Sequence, residues 1–180
     1  NEVDGAFVEE GSVAGGSFVP VLRVPAVPGL FSDEDGARVF GNKCVSCGTP
    51  YFPKAAECHN PSCAESKMED CAFGGKGVIW SYSVADFPPP PPHKFDKPFK
   101  SYVIGVVDMD NGLRMVGQMV DPLENVRIGA QVELVVDTLY HEEGKAYTSW
   151  KFKLVSAAAE KADARSQCSG RGGSPVWQVG

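Results

Sequence analysis

The sequence predicts a mainly β protein in which a short cysteine-rich ribbon is followed by a five-stranded closed barrel. Four of the six cysteines fall into two closely spaced pairs, a pattern typical of a small metal-stabilised ribbon. From about residue 74 onward, apolar and polar residues alternate with the period of two that β-strands require. Between residues 74 and 155, no stretch shows a helical spacing of apolar residues for longer than about one turn.

Residues 1–38 are rich in Gly and Val, contain prolines at positions 20, 25 and 28, and show no helical period. We therefore expect an extended N-terminal arm. Its apolar side chains are too numerous for a freely solvated linker, so we expect the arm to lie against its own domain or against another chain.

Residues 39–73 contain both cysteine pairs, Cys44-Val-Ser-Cys47-Gly and Cys58-His-Asn-Pro-Ser-Cys63. A turn with two to four residues between cysteines presents both sulfurs to one metal ion, and Zn²⁺ binds four thiolates tetrahedrally. Gly48 follows the first pair and can adopt the left-handed conformation that such a turn needs. We predict a zinc ribbon with a structural ion held by Cys44, Cys47, Cys58 and Cys63.

Other interpretations of these cysteines are weaker. A rubredoxin-type iron site uses the same four ligands, so the presence of a metal is better supported than its identity. Disulfides would require an oxidising compartment, and a redox Cys-x-x-Cys would not need a second pair. His59 is expected to be an exposed neighbour of the site. Cys71 and Cys168 lie outside the spacing and are expected to be ordinary thiols.

Residues 74–155 contain five predicted strands, and the connection between the third and fourth is short. This pattern favours an OB-type barrel, with an open sandwich as the alternative. Val78, Trp80, Tyr82 and Val84 alternate along the first strand and are expected to share one face. Asp110-Asn111-Gly112 predicts a hairpin turn of type I′. The strands are expected at 77–84, 101–108, 112–120, 131–140 and 146–155.

A proline-rich loop at residues 87–100 joins the first two predicted strands and contains five consecutive prolines, which favour a stiff, extended polyproline II segment. It is either a rigid lid over the end of the barrel or a contact surface for a partner. Residues 156–180 follow the barrel and are expected to form a short helix and a tail that carries Trp177.

The composition excludes several classes of function. The net charge of −6 disfavours nucleic-acid binding, and no apolar run is long enough to cross a membrane. Unpaired thiols without a signal segment favour the cytoplasm. No catalytic motif is present, and the polar turn at 140–143 is expected to be solvated. We therefore expect no catalytic residues in this chain.

The order of these motifs resembles the "domain of unknown function 35" family. The resemblance rests on residues 41–48, the segment from Pro53 to Cys63, the stretch 75–84, the proline-rich loop, and residues 102–108 and 117–119. It covers about residues 39–155. The second cysteine pair departs from the commoner pattern because four residues separate its cysteines rather than two. The resemblance implies a rubredoxin-like zinc ribbon followed by an OB fold.

The resemblance also implies a function. Members of the family are small subunits of thiolase-like enzymes that act on acyl-CoA, and the thiolase-fold partner supplies the catalytic cysteine and histidines. The resemblance therefore implies that this chain is a non-catalytic subunit of a hetero-oligomer that contains two copies of each chain. The implied reaction is the thiolytic cleavage of a C–C bond in an aromatic succinyl-type CoA ester such as benzoylsuccinyl-CoA. On the proline-rich loop, Lys94, Lys97 and Lys100 are candidates for contacts with the phosphates of CoA. The alternative is that these lysines only keep an otherwise apolar loop solvated.

Two alternatives remain from the sequence. In the first alternative, the ribbon and the OB barrel form a nucleic-acid-binding module. In the second, the chain is a free-standing acyl-CoA-binding protein. Binding of CoA by the purified chain without another subunit would favour the last of these.

Overall fold

The computed structural model describes residues 21–155 of the 180-residue chain. The first twenty residues of the expected arm, and the expected C-terminal helix and tail at 156–180, lie outside this part. Within residues 21–155, no helix is long and apolar enough to span a membrane. The elements are β1 (Leu22–Pro25), β2 (Phe31–Ser32), β3 (Arg38–Cys44), β4 (Pro50–Tyr51), β5 (Met68–Gly74), β6 (Lys76–Ala85), β7 (Tyr102–Met109), β8 (Arg114–Met119), a 3₁₀ turn (Leu123–Asn125), β9 (Gln131–Glu142) and β10 (Lys145–Leu154).

Strands β6 to β10 form the predicted five-stranded barrel. The sheet runs in the order β1-β10-β8-β7-β6-β9, and the pairing of β9 with β10 closes it. Strands β8 and β10 pair in parallel over a short stretch, at Lys151–Gln118 and Phe152–Met119, whereas the other neighbouring strands of the barrel pair antiparallel. The expectation of a mainly β chain with a closed barrel is confirmed.

The described end of the arm is part of the fold. Strand β1 lies parallel to β10, with Leu22 opposite Lys145, and adds a sixth strand to the barrel sheet. The amide of Ala26 continues the ladder by donating to the carbonyl of Thr148 at 2.9 Å. This part of the arm therefore packs against its own domain.

The prediction that alternate residues from Val78 to Val84 share one face of the first barrel strand is wrong, because β6 contains a bulge after Ile79. A bulge adds one residue to a strand and so reverses which side later residues face. Val78 and Trp80 are exposed, whereas Tyr82 packs against the core and Val84 lies opposite the buried Val103.

The turn at Asp110-Asn111-Gly112 makes the predicted hairpin, but it is not of type I′. Among the three residues of this turn, only Gly112 has a positive φ, and its amide donates to the Met109 carbonyl at 3.0 Å. This geometry is a three-residue loop that ends in a left-handed glycine. The Asn111 side chain instead bridges two segments, because its Nδ2 donates to the Gly74 carbonyl at 3.3 Å and its Oδ1 accepts from the Leu113 amide.

The ribbon is a small four-stranded sheet, in which β3 pairs with β2, β4 and β5. Its apolar residues join the barrel in one continuous core. Phe31 and Phe73 from the ribbon sheet belong to the same buried cluster as Phe152 from β10. Trp150 packs edge-on against Phe31 at 6.0 Å and against Phe52 at 5.4 Å between ring centroids. Loss of order in the ribbon therefore exposes part of the barrel core.

Candidate functional site

The structure brings the two cysteine pairs together. Cys44 ends β3, Cys47 lies in the turn that follows, and Cys58 and Cys63 come from the connection between β4 and β5. Their four sulfurs all lie within 4.8 Å of one another. Within residues 21–155, no other group of three or more His, Cys, Asp or Glu side chains is gathered in this way.

The distances between the sulfurs fit one tetrahedral ion. The Sγ atoms of Cys44 and Cys63 are 3.7 Å apart, and those of Cys47 and Cys58 are 3.5 Å apart. In a tetrahedral Zn²⁺ site with Zn–S bonds of about 2.3 Å, neighbouring sulfurs are about 3.8 Å apart. A disulfide would bring two sulfurs to about 2.05 Å, so the four thiols are placed for a metal and not for crosslinking.

The backbone around the first pair holds this geometry. Gly48 has a φ of 79°, the left-handed conformation expected for it. Its amide donates to the Cys44 carbonyl at 2.6 Å, and the Cys44 amide donates to the Thr49 carbonyl at 2.9 Å. These bonds fold the turn so that both sulfurs of the pair point the same way.

Backbone amides also stabilise negative charge at the cluster. Hydrogen bonds from the backbone of Lys67, and then of Cys47 and Ser46, lower the pKa of Cys44 to about 6 against the opposing effect of burial. At Cys63, the backbone of Glu65 acts to lower the pKa, but burial and the three neighbouring thiols outweigh it and raise the pKa to about 12. Thiolates crowded together disfavour one another, and a divalent cation between them removes this repulsion.

Tyr51 packs beside the second pair. Its hydroxyl lies 3.4 Å from the Cys58 sulfur and accepts a hydrogen bond from the His59 amide at 2.9 Å. Burial, together with the Cys58 thiol, raises the pKa of Tyr51 to about 12. The His59 ring is exposed and packs edge-on against Tyr51, outside the group of sulfurs, as expected from its position in the sequence.

Asn42 ties the two halves of the ribbon together. Its side chain donates to the Ala55 carbonyl at 2.7 Å and accepts from the Ala55 amide at 3.0 Å. This pair of bonds fixes the segment that leads to Cys58 against β3, the strand that ends at Cys44.

Cys71 lies on β5, outside the cluster, and its side chain is buried. The expectation of an ordinary thiol at this position stays a prediction. Cys168, for which we made the same prediction, lies outside the described residues.

The second half of the proline-rich loop is anchored to the β9–β10 hairpin. Lys94 forms an ion pair with Glu142, with Nζ 2.5 Å from the nearer carboxylate oxygen. Asp96 accepts from the backbone amide of His141 at 2.6 Å, and its other oxygen lies 2.8 Å from Nδ1 of that ring. The polar turn at 140–143, expected to be solvated, is therefore a docking point for the loop.

A concavity of about 250 Å³ lies between this part of the loop and the hairpin. Of the three lysines considered for CoA contacts, Lys97 lines the concavity, Lys94 lines it while paired with Glu142, and Lys100 is exposed outside its lining. The structure thus places two of the three together. The remaining lining residues are His93, Phe95, Tyr140, His141 and Glu142.

The loop anchor should depend on the charge of Asp96. The His141 backbone amide, and then its side chain, lower the pKa of Asp96. A carboxyl group whose pKa is lower in the folded state contributes stability above its unfolded pKa, about 3.9, and loses it as the pH falls through the folded value. We therefore expect the loop to stay docked at neutral pH and to loosen below about pH 4.

The substitution Asp96→Ala removes both bonds and should loosen the loop at pH 7. We expect faster hydrogen exchange at the non-proline amides of 87–100, with exchange in the barrel strands unchanged. Asp86→Ala, a change at an exposed acid near the start of the loop, is the control and should leave exchange unaltered. Equal protection in Asp96→Ala and the native chain would contradict this role of Asp96.

Comparisons with known proteins agree with the architecture. Residues 72–137 match the family model described as ChsH2, C-terminal OB-fold domain. A DUF35 domain-containing scaffold protein of Methanothermobacter thermautotrophicus is 36% identical over 116 residues, which cover 63% of this chain and 83% of that protein. This chain belongs to the DUF35 family. The family predicted from the order of the motifs is therefore confirmed.

Two further proteins are similar to this chain. The benzoylsuccinyl-CoA thiolase subunit BbsA of Thauera aromatica is 27% identical over 132 residues, covering 70% of this DUF35 chain and 84% of that protein. A solved chain described as the Ltp2-ChsH2(DUF35) aldolase is 27% identical, covers 65% of this chain and 84% of its own length, and has a TM-score of 0.48.

Proposed function

We propose that this chain is a non-catalytic, zinc-binding subunit of a thiolase-type complex that acts on acyl-CoA. The observation that carries the proposal is membership of the DUF35 family together with the similarity to a thiolase subunit over 84% of that subunit's length. The cysteine cluster supports a structural role, because four protein ligands leave no coordination position for a substrate.

The proposed ion is Zn²⁺, held by Cys44, Cys47, Cys58 and Cys63. These thiolates are soft ligands with the spacing and the sulfur separations that Zn²⁺ accepts, and a rubredoxin-type iron site is the alternative. When bound, the ion supplies charge neutralisation and a crosslink between the two halves of the ribbon. It does no chemistry on a substrate in this proposal.

The catalytic groups belong to the partner in this proposal. A thiolase-fold subunit would supply the cysteine and histidines for thiolytic C–C cleavage, and two copies of each chain would assemble in the cytoplasm. The proposed substrate is an aromatic succinyl-type CoA ester such as benzoylsuccinyl-CoA, which would place the complex in aromatic catabolism. The name of the Thauera relative supports this choice of substrate.

The loop and the hairpin are proposed to form one wall of the CoA entrance. Lys97 and Lys100 are exposed and available to CoA phosphates, whereas Lys94 would mainly hold the loop in place through Glu142. Under this assignment, Lys97 and Lys100 contact CoA, and Lys94 supports the loop.

Co-expression with the thiolase-fold subunit tests the proposal. The two chains should co-purify as a stable complex that converts benzoylsuccinyl-CoA and CoA into two thioesters, and either chain alone should be inactive. Full activity of the thiolase-fold subunit alone, or tight CoA binding by this chain without any partner, would contradict the proposal.

The same assay tests the lysines. The double substitution Lys97→Ala/Lys100→Ala should raise KM for the acyl-CoA substrate while leaving kcat and assembly unchanged, because it removes ground-state charge contacts only. Lys153→Ala, at an exposed lysine of β10, is the matched control. An unchanged KM in the double variant would remove the CoA assignment without affecting the proposed subunit role.

A further inference from the structure

The proline-rich loop consists of two parts with opposite properties. Its second half is anchored to the barrel, as described above. Its first half carries Phe87, whose side chain is 82% exposed, the highest value among the large apolar residues of the described part of the chain. Pro88 and Pro90 are also exposed, and Pro89 is partly buried. Phe87 and the exposed prolines beside it form a contiguous apolar patch, and contiguous exposed apolar patches often mark sites where a partner binds.

The proline run restricts what can bind there. Proline has a fixed φ and no backbone N–H, so residues 88–92 cannot donate to a neighbouring strand. Apart from Pro90, they keep their carbonyl groups as acceptors for a partner, on a segment whose composition favours an extended conformation. The amide of His93 donates to the Pro90 carbonyl at 3.2 Å and closes a turn at the end of the run. Binding by addition to a sheet edge is thereby excluded.

Anchoring of the second half presents this segment in a defined position. The Lys94–Glu142 and Asp96–His141 contacts hold it from one side. Phe95, Phe99 and Tyr102 form a chain of edge-on ring contacts at 5.7 and 6.1 Å. A rigid segment loses little conformational freedom on binding, so most of its contact energy remains available as affinity.

We propose that Phe87 and Pro88–Pro91 form a recognition segment that inserts into an aromatic-lined apolar groove on the catalytic subunit. This inference rests on the proposed function, since it assumes that subunit. Aromatic grooves take up extended proline segments by packing rings against the pyrrolidine faces, while Trp or Tyr donors bind backbone carbonyls, here those other than the Pro90 carbonyl. Phe87 is the anchor that fills a pocket at one end of the groove.

A second exposed aromatic, Trp80 on β6, is the competing anchor. Its side chain is 48% exposed, and the Arg114 guanidinium lies 4.2 Å from the ring centroid, where two hydrogen bonds to Asp108 hold it. The cation therefore already covers part of one face of this ring. Phe87 has the larger area left to bury, which favours it as the anchor.

The test measures the affinity of the full chain for the catalytic subunit by titration calorimetry. We expect Phe87→Ala to weaken binding by about 30-fold or more, as for a central hot-spot residue, and Phe87→Trp to retain most of it. A variant with Pro88–Pro91 replaced by Gly-Ser-Gly-Ser should also bind more weakly, through the added flexibility. Zinc content and thermal stability should stay at native values in all three.

Trp80→Ala is the matched control and should bind within about threefold of the native chain. Near-native affinity of Phe87→Ala, or a larger loss in Trp80→Ala than in Phe87→Ala, would overturn the inference while leaving the proposed function intact. Hydrogen exchange of the partner should show protection in a groove lined by aromatic side chains, and protection confined to a flat charged surface would also overturn it. Failure of the native chain to bind the subunit would reject both proposals.

Discussion

Replacement of Cys44 by Ser is expected to abolish stoichiometric zinc binding and to unfold the ribbon. Cys44 is fully buried at the end of β3, and its sulfur receives the backbone hydrogen bonds described above. A serine hydroxyl is a harder and far less acidic ligand than a thiolate, so it does not replace the sulfur at neutral pH.

The expected size of this effect follows from the coupling of metal binding to folding. Structural zinc sites contribute about 10–16 kcal/mol of apparent binding free energy at neutral pH, which is comparable to the total stability of a typical domain, about 5–15 kcal/mol. The ribbon shares its core with the barrel through Phe31 and Phe73. We therefore expect the loss of zinc to lower the stability of the whole described fold.

Elemental analysis and thermal unfolding measure both effects. The zinc-to-chain ratio should be near one in the native protein and near zero in Cys44→Ser and in Cys63→Ser. Cys71→Ser removes a cysteine of the same sheet that lies outside the cluster, so this variant should retain zinc. Undiminished metal in both cluster variants would disprove the ligand set, and iron in place of zinc would change the identity of the ion.

Truncation of Phe152 to alanine is expected to cost about 3–5 kcal/mol of unfolding free energy, the range for large-to-small changes at buried aromatic residues. Phe152 has no exposed surface and lies on β10, which contacts β1, β8 and β9. Packing around its ring is tight, since a Cβ atom placed on Gly117 would lie 2.8 Å from it. The cavity left by the ring cannot collapse without moving three strands.

Phe87→Ala is the matched control, because it makes the same chemical change at a side chain that is 82% exposed. Urea unfolding followed by Trp fluorescence should show a large fall in the midpoint for Phe152→Ala and a change within about 0.5 kcal/mol for Phe87→Ala. Equal stabilities of the two variants would contradict the placement of Phe152 in the shared core.

The barrel strands and the cysteine cluster were predictable because both depend on local patterns. Alternation of period two places side chains on the faces of a strand, and close cysteine spacing brings two sulfurs to one point. The five expected strands match β6 to β10 within a few residues. Local patterns also gave the position of the hairpin at Gly112.

Other features depend on contacts that no local pattern reports. The bulge in β6 is visible only from the register with β7, so the facing of Tyr82 was predicted wrongly. The type of turn at Asn111 is set by its bond to Gly74, a residue 37 positions away. The anchors of the proline-rich loop pair Lys94 and Asp96 with residues 48 and 45 positions further along the chain.

The parallel pairing of β1 with β10 has a consequence for the order in which the molecule can assemble during synthesis. The Thr148 hydroxyl, which donates to the Val24 carbonyl, is 124 residues from it, whereas Cys44 and Cys63 are only 19 residues apart. During synthesis, N-terminal segments leave the ribosome before C-terminal ones. The metal site can therefore close early, whereas β1, which precedes the cysteines in the chain, has no partner strand until almost all of the described residues have been made.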